Sequence, residues 1–143
     1  MNEIQIVPAS DFGQKRIGVL CLAGLETFIQ PIVTHLEKNY KVRTYYGSDM
    51  QEAVSIIEWA DLIWFEWANE MAIEITNKVP SMDHKKAVVR LHSYEALAGY
   101  ANHINWSVVD SLIFVADHIK EIVLKQCPKL TDFVEMHTVP NGV

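Results

Sequence analysis

Arg16-Ile17-Gly18-Val19-Leu20-Cys21-Leu22 is a short apolar run that stops at Ala23-Gly24, and the change of pattern on its far side decides the fold. A run of this length reads as a strand buried on both faces. Past Gly24 the hydrophobic period changes. Leu25, Phe28, Ile29, Ile32, Val33 and Leu36 recur at i, i+3, i+4, i+7, i+8 and i+11, the single stripe of a helix running to about Lys38. Pro31 fits only near a first turn, so the helix starts near Thr27 or is locally irregular.

The same switch of period repeats down the chain. Lys41-Val42-Arg43-Thr44-Tyr45-Tyr46 reads as a second strand, and Ser48 with Gln51 has the spacing of a capping box opening a short helix through Val54, Ile57 and Trp59. Asp61-Leu62-Ile63-Trp64-Phe65-Glu66 is a third strand, followed by a helical stripe of Trp67, Met71, Ile75 and Val79 that Pro80 closes. Lys86-Ala87-Val88-Val89-Arg90-Leu91-His92 is a fourth, and residues 93–110 hold one or two short helices. Ser111-Leu112-Ile113-Phe114-Val115 is a fifth; Asp117 then precedes a helix with Ile119, Ile122 and Val123 inward until Pro128, and Glu135-Met136-His137-Thr138-Val139 is the last strand. Six short strands separated by helices need right-handed crossovers, so the expected fold class is α/β, a three-layer Rossmann-like domain with a parallel sheet of about six strands. Residues 1–14, with the apolar patch Ile4-Gln5-Ile6-Val7-Pro8, form a lead-in that is either an extra edge strand or the end of an upstream domain; residues 15–143 form the Rossmann-like domain.

Composition narrows the function. Half of the 143 residues are hydrophobic, and 12 Lys and Arg face 18 Asp and Glu for a net charge of −6 with no block of like charge. A phosphate backbone or an anionic membrane finds little to hold, so neither nucleic acid nor a membrane is an expected partner. No apolar run approaches the roughly 20 residues of a membrane span, and Met1-Asn2-Glu3-Ile4 lacks the basic start of a signal peptide. Cys21 and Cys127 stand apart, in no metal-ligand or redox spacing, and read as core residues. A cytoplasmic protein is the expectation.

In a parallel sheet, ligands bind beyond the carboxyl ends of the strands, which selects residues 24–26, 46–48, 66–67, 92–95, 116–118 and 141–142 as the working rim. Several chemistries are missing there. The first loop offers only Gly24 where a dinucleotide needs G-x-G-x-x-G, no Lys follows a Gly as a P-loop requires, and no G-x-S-x-G elbow occurs. The six histidines form no H-E-x-x-H or His-x-His pair, so neither a metal nor a cofactor is expected. His92 stands where a buried strand leaves the sheet, followed by Ser93, Tyr94 and Glu95, and is a candidate acid, base or donor. The plainer alternative is a strand-end histidine satisfying a neighbouring backbone group. Glu66 holds the equivalent place on strand three, though Glu66, Glu70 and Glu74 also have the spacing of a solvated helix face. The tryptophans Trp59, Trp64, Trp67 and Trp106 read as core before ligand contacts.

The final third carries a sharper signal. Val109-Asp110-Ser111-Leu112-Ile113-Phe114-Val115-Ala116-Asp117-His118-Ile119-Lys120, then Val139-Pro140-Asn141-Gly142-Val143, resembles the N-terminal domain of GT-B-fold glycosyltransferases of the large retaining family four. There a strand of this type leads into a helix and a later V-P-N-G-V-D marks the hinge into a second Rossmann domain. The resemblance implies the acceptor-side half of an enzyme that transfers a sugar from a nucleotide-sugar donor, with a C-terminal donor-binding domain as its missing partner. It makes His92 the catalytic residue near the reacting sugar. Gly24, Leu25, Glu26, Glu66, Ser93, Tyr94 and Glu95 become substrate-binding residues, and Pro140, Asn141 and Gly142 the hinge. Two positions depart from the family: its usual glycine pair is reduced to Gly24, and Ala116 replaces a Ser or Thr after strand five. A chain of 143 residues cannot supply both halves of an interdomain cleft, so the isolated domain is expected to fold and be inactive. The acidic balance favours a soluble acceptor over a membrane lipid. The competing readings are a non-catalytic Rossmann-like domain that docks a partner chain, and a GT-B relative such as a nucleotide-sugar epimerase. Donor, acceptor and oligomeric state are left open by the sequence.

Overall fold

All six apolar runs become strands, and all six pair in parallel. In a computed structural model that describes residues 15–140, the strands are β1 (Arg16–Cys21), β2 (Lys41–Tyr46), β3 (Leu62–Glu66), β4 (Lys86–Leu91), β5 (Ser111–Phe114) and β6 (Glu135–Thr138), in the sheet order β2-β1-β3-β4-β5-β6. Register is continuous across the sheet: Ile17 lies beside Val42 and Leu62, Leu62 beside Lys86, Val88 beside Ser111 and Ser111 beside Glu135. The chain is a Rossmann-like α/β domain. The order reverses direction between β1 and β3, the flavodoxin-type arrangement extended by one strand.

Among the described residues five α-helices fill the crossovers: α1 (Gln30–Leu36), α2 (Met50–Trp59), α3 (Glu70–Lys78), α4 (Ser93–Ala98) and α5 (Asp117–Gln126). Their apolar faces divide between two cores. The larger joins Ala53, Ile57, Met71, Ile75, Ala96 and Val123 of α2 to α5 with Leu20, Ile63, Phe65, Val89 and Leu112 of the sheet. The smaller, on the opposite face, packs Ile29, Val33 and Leu36 around α1 against Ile17, Val19, Leu62 and Trp64. The three layers are therefore unequal, four helices against one.

The structure refines the sequence reading at several local points. The segment after β1 is a 3₁₀ turn (Glu26–Phe28) followed by α1 with Pro31 in its first turn, the irregularity that proline demands. The cap of α2 is Asp49, not Ser48: its carboxylate accepts the Gln51 backbone N–H at 2.9 Å. Trp67 is not in a helix, since α3 begins at Glu70 and the Trp67 backbone has φ 81°, the left-handed region that a bulky side chain rarely occupies. Cys127 is half-buried, with its thiol donating to Asn102 Oδ1 at 3.1 Å, so only Cys21 is a core cysteine. The lead-in with its Ile4-to-Pro8 patch and the hinge residues Asn141 and Gly142 lie outside the described residues. No helix among the described residues is long and apolar enough to cross a membrane.

Candidate functional site

The loops that leave β1, β3 and β4 meet at the switch point, and one buried carboxylate holds them. Glu66, the last residue of β3, is 1% exposed. Its Oε1 accepts the Trp64 indole N–H at 3.0 Å, and its Oε2 accepts His92 Nε2 at 2.8 Å and Arg90 Nη1 at 3.3 Å. Alternation along strands explains the convergence: Trp64, Glu66 and Arg90 project from the same face of neighbouring strands, where Glu66 pairs in register with Arg90. Oε2 also accepts from the Arg90 guanidinium, and the His92 tautomer that carries Nε2–H suits this shared acceptor. Among the described residues this is a buried ion pair with a histidine attached, not the solvated helix face that the spacing to Glu70 and Glu74 allows. Glu70 and Glu74 are exposed as that alternative expects.

His92 is 4% exposed, with one aromatic ring on its face and another at its edge. The Trp67 ring stacks on its imidazole at 3.9 Å with 22° between the planes, and the half-exposed Phe28 ring lies 5.6 Å away. Trp67 reaches that place through its positive φ, and its indole N–H donates to the Leu25 carbonyl at 2.9 Å, so the β1 and β3 loops are tied directly. Gly24 supports the same loop at φ 89°, a conformation suited to glycine, with its N–H donating to Glu26 Oε1 at 2.8 Å.

Of the four residues read after strand four, two face outward and two inward. Ser93 is exposed, and Tyr94 is exposed with its hydroxyl 3.1 Å from that of Tyr100, which donates to Glu70 Oε2 at 3.2 Å. That hydrogen bond to Tyr94, ahead of desolvation and the Glu70 charge, pushes the Tyr100 hydroxyl up to about 12. Glu95 points inward and is fully buried. Its Oε1 accepts the backbone N–H groups of Ala68 at 2.8 Å and His92 at 3.0 Å, bracing the β3 loop against the first turn of α4. In this arrangement Oε1 of Glu95 positions the rim, while its Oε2 is buried without a hydrogen-bond partner among the described residues. Burial raises its carboxyl above the ordinary value, against the lowering effect of those backbone donors. Cys21, at the end of β1, is pushed up to about 12 by burial and then by the charges of Glu66 and Glu26, so it is a neutral thiol and a poor nucleophile.

Beside the cluster, on the α1 side of the sheet, opens a cavity of about 610 Å³. Phe28, Pro31, Ile32, Trp64 and Ile113 wall it, Arg90 contributes a buried charged group, and Val139 and Pro140 reach it from the far end of the sheet. The sequence reading placed Trp67 on the rim without giving it a role, and missed Arg90 and Phe28 as site residues. The signal for Arg90 was present: an arginine inside Val88-Val89-Arg90-Leu91 has to find a buried carboxylate. Ala116 caps α5 without a side-chain contact, so the polar group of the resembled family is absent at that loop. No family model matches the chain, and no curated protein or solved structure matches it either.

Proposed function

We propose that this domain is the acceptor-side half of a GT-B-type glycosyltransferase, whose nucleotide-sugar donor is held by a second Rossmann-like domain. The observation that carries the reading is the rim itself: an aromatic-walled cavity beside His92 and Glu66 at the switch point. Phe28 and Trp64 offer flat apolar surfaces of the kind on which the face of a sugar ring rests, and Arg90 supplies polar contact within the wall. The element order and Val139-Pro140-Asn141-Gly142 add the family resemblance to that geometry.

Within the domain, His92 has two duties that its surroundings define. It holds the Trp67 ring by stacking, and it donates a hydrogen bond to Glu66 that fixes the imidazole plane. An acceptor sugar that displaces Phe28 from the imidazole edge meets a histidine already oriented by its carboxylate. The donor domain is required for turnover, so the 143 residues alone bind without transferring.

The test begins with the intact mass of the protein isolated from its source. A mass well above 16.3 kDa, with a second Rossmann-like domain bearing paired glutamates, is the expected result. In that protein, release of nucleoside diphosphate from a nucleotide sugar should depend on an acceptor, and His92→Ala should lower kcat at least tenfold (~1.4 kcal/mol) while the fold survives. A native mass of 16.3 kDa, or unchanged kinetics in the variant, defeats the reading.

A further inference from the structure

Among the described residues, the smaller core leaves much of one sheet face open. On that face α1 lies over β1 and its neighbours, while Val88, Ser111 and Ile113 are only half-buried and Lys86, Glu135 and His137 are exposed. Among the described residues no helix covers the β4–β6 half. Parallel sheets normally carry helices on both faces, because each strand is apolar on both sides. Alongside α1 the open face forms a groove of about 500 Å³, with Leu36 and Tyr40 as one wall and Leu62, Trp64 and Val88 as floor.

The charges at its mouth are unequal. Asp61 is matched by Arg16, through the backbone N–H at 2.9 Å and the guanidinium at 3.3 Å. Lys86 has no carboxylate partner among the described residues, and Lys15 adds its charge beside Asp61 without a direct ion pair. We propose that this groove docks an amphipathic α-helix of a partner polypeptide. The helix lies beside α1 across β3 and β4, with apolar residues on Leu62, Trp64 and Val88 and acidic residues toward Lys15 and Lys86.

Among the described residues, a second copy of this chain has no suitable helix to offer. The apolar faces of α2, α3 and α5 are already in the larger core. Only the short α4 exposes apolar side chains, Tyr94 and Leu97. At six residues it is about 9 Å long, against the roughly 16 Å spanned by the five residues of β3. The proposal does not rest on the transferase reading: the groove lies toward the amino-terminal ends of β1, β3 and β4 and shares only Trp64 with the cavity at the rim.

The test uses the 143-residue chain and two fluorescein-labelled helical peptides of about 14 residues, with Leu and Ile along one face and either Glu or Lys beside it. By fluorescence polarisation the Glu peptide should bind saturably and at least tenfold more tightly than the Lys peptide at about 50 mM NaCl, and the margin should shrink at about 0.5 M. Lys86→Glu should reverse the preference, and Val88→Asp should weaken binding more than tenfold, with Tyr40→Asp on the exposed wall of the groove as the second probe if Val88→Asp does not fold. Leu97→Asp, away from the groove, should change nothing. Equal affinity for the two peptides, or no binding, overturns the proposal. So does a concentration-dependent dimer in sedimentation that Tyr40→Asp dissociates, which makes a second copy the occupant. Binding that appears only after residues 1–14 are removed overturns it as well, by making the lead-in the occupant.

Discussion

Glu66 takes part in three hydrogen bonds with almost no contact with water, and two of its partners carry or can carry positive charge. Removing it takes the shared acceptor from His92 and the Trp64 indole and the carboxylate from Arg90, which keeps its contact with the Phe28 carbonyl. Glu66→Ala should therefore cost about 3–5 kcal/mol in urea denaturation, the range for breaking a buried pair from one side; a loss under about 1 kcal/mol would show that water already reaches the cluster. Glu95 gives a pH-dependent test. Its raised carboxyl pKa means that the folded chain holds the proton more tightly than the unfolded chain. That contribution is complete below the ordinary glutamate value of about 4.3 and is lost as pH rises through the folded value. Glu95→Gln keeps an oxygen for the Ala68 and His92 N–H groups and never ionises. Its stability relative to the parent should rise between about pH 4 and pH 7, whereas Glu95→Ala, losing both acceptor bonds, should fall by about 1–3 kcal/mol at either pH. A glutamine variant that tracks the parent across this range would contradict the burial account. At this scale the sequence exposed His92 and Glu66 through their places at strand ends. It hid the inward turn of Glu95, because a polar run after a strand looks the same whether it faces a ligand or a neighbouring loop.

Helix and strand positions were legible wherever the hydrophobic period was uninterrupted, as in β1, β4 and α5. They failed at Ser48 and Trp67 for physical reasons. Asp49 competes with Ser48 for the same N–H groups, and its charge also favours the helix end, so the stronger acceptor caps α2. Trp67 sits at the right period for α3 but is drawn out of the helix by the His92 stack and the Leu25 carbonyl. A third element-scale feature is the contact of α2 with β1 at Gly18, where an added Cβ would stand 2.5 Å from Ile56 Cγ2 and 3.3 Å from Ala60 Cβ. No side chain fits there without moving the helix. Gly18→Ala should lower stability by about 1–3 kcal/mol. Ile56→Ala removes the clashing methyl, so the double variant should be more stable than the sum of the two single losses. Simple additivity in that thermodynamic cycle would mean that Gly18 is not what sets the helix-to-strand distance.

At the scale of the whole molecule, the unequal layers arise from the order of the strands. Right-handed crossovers put the helix on one face when the chain steps from β1 to β2, and on the other face when it steps the opposite way. Only one step goes the first way, which leaves α1 alone; the four steps that carry the chain to β3, β4, β5 and β6 put α2 to α5 together. The sequence announced six strands and the helices between them, but not this imbalance, because half-buried and fully buried apolar residues alternate within the same runs. Val88 and Val89 are neighbours that face opposite layers, one half-buried and one fully buried. They convert the imbalance into a measurement. Val89→Lys drives a charge into the larger core and should prevent folding. Val88→Lys places the same charge on the open face, where its amine reaches water, and should cost no more than about 1 kcal/mol by denaturant midpoint with an unchanged circular dichroism spectrum. The same contrast is expected for Leu112→Lys against Ile113→Lys, one strand further along. If the two members of each pair are equally damaging, the face beyond α1 is covered in the folded chain, and the groove beside it is part of a core, not a surface.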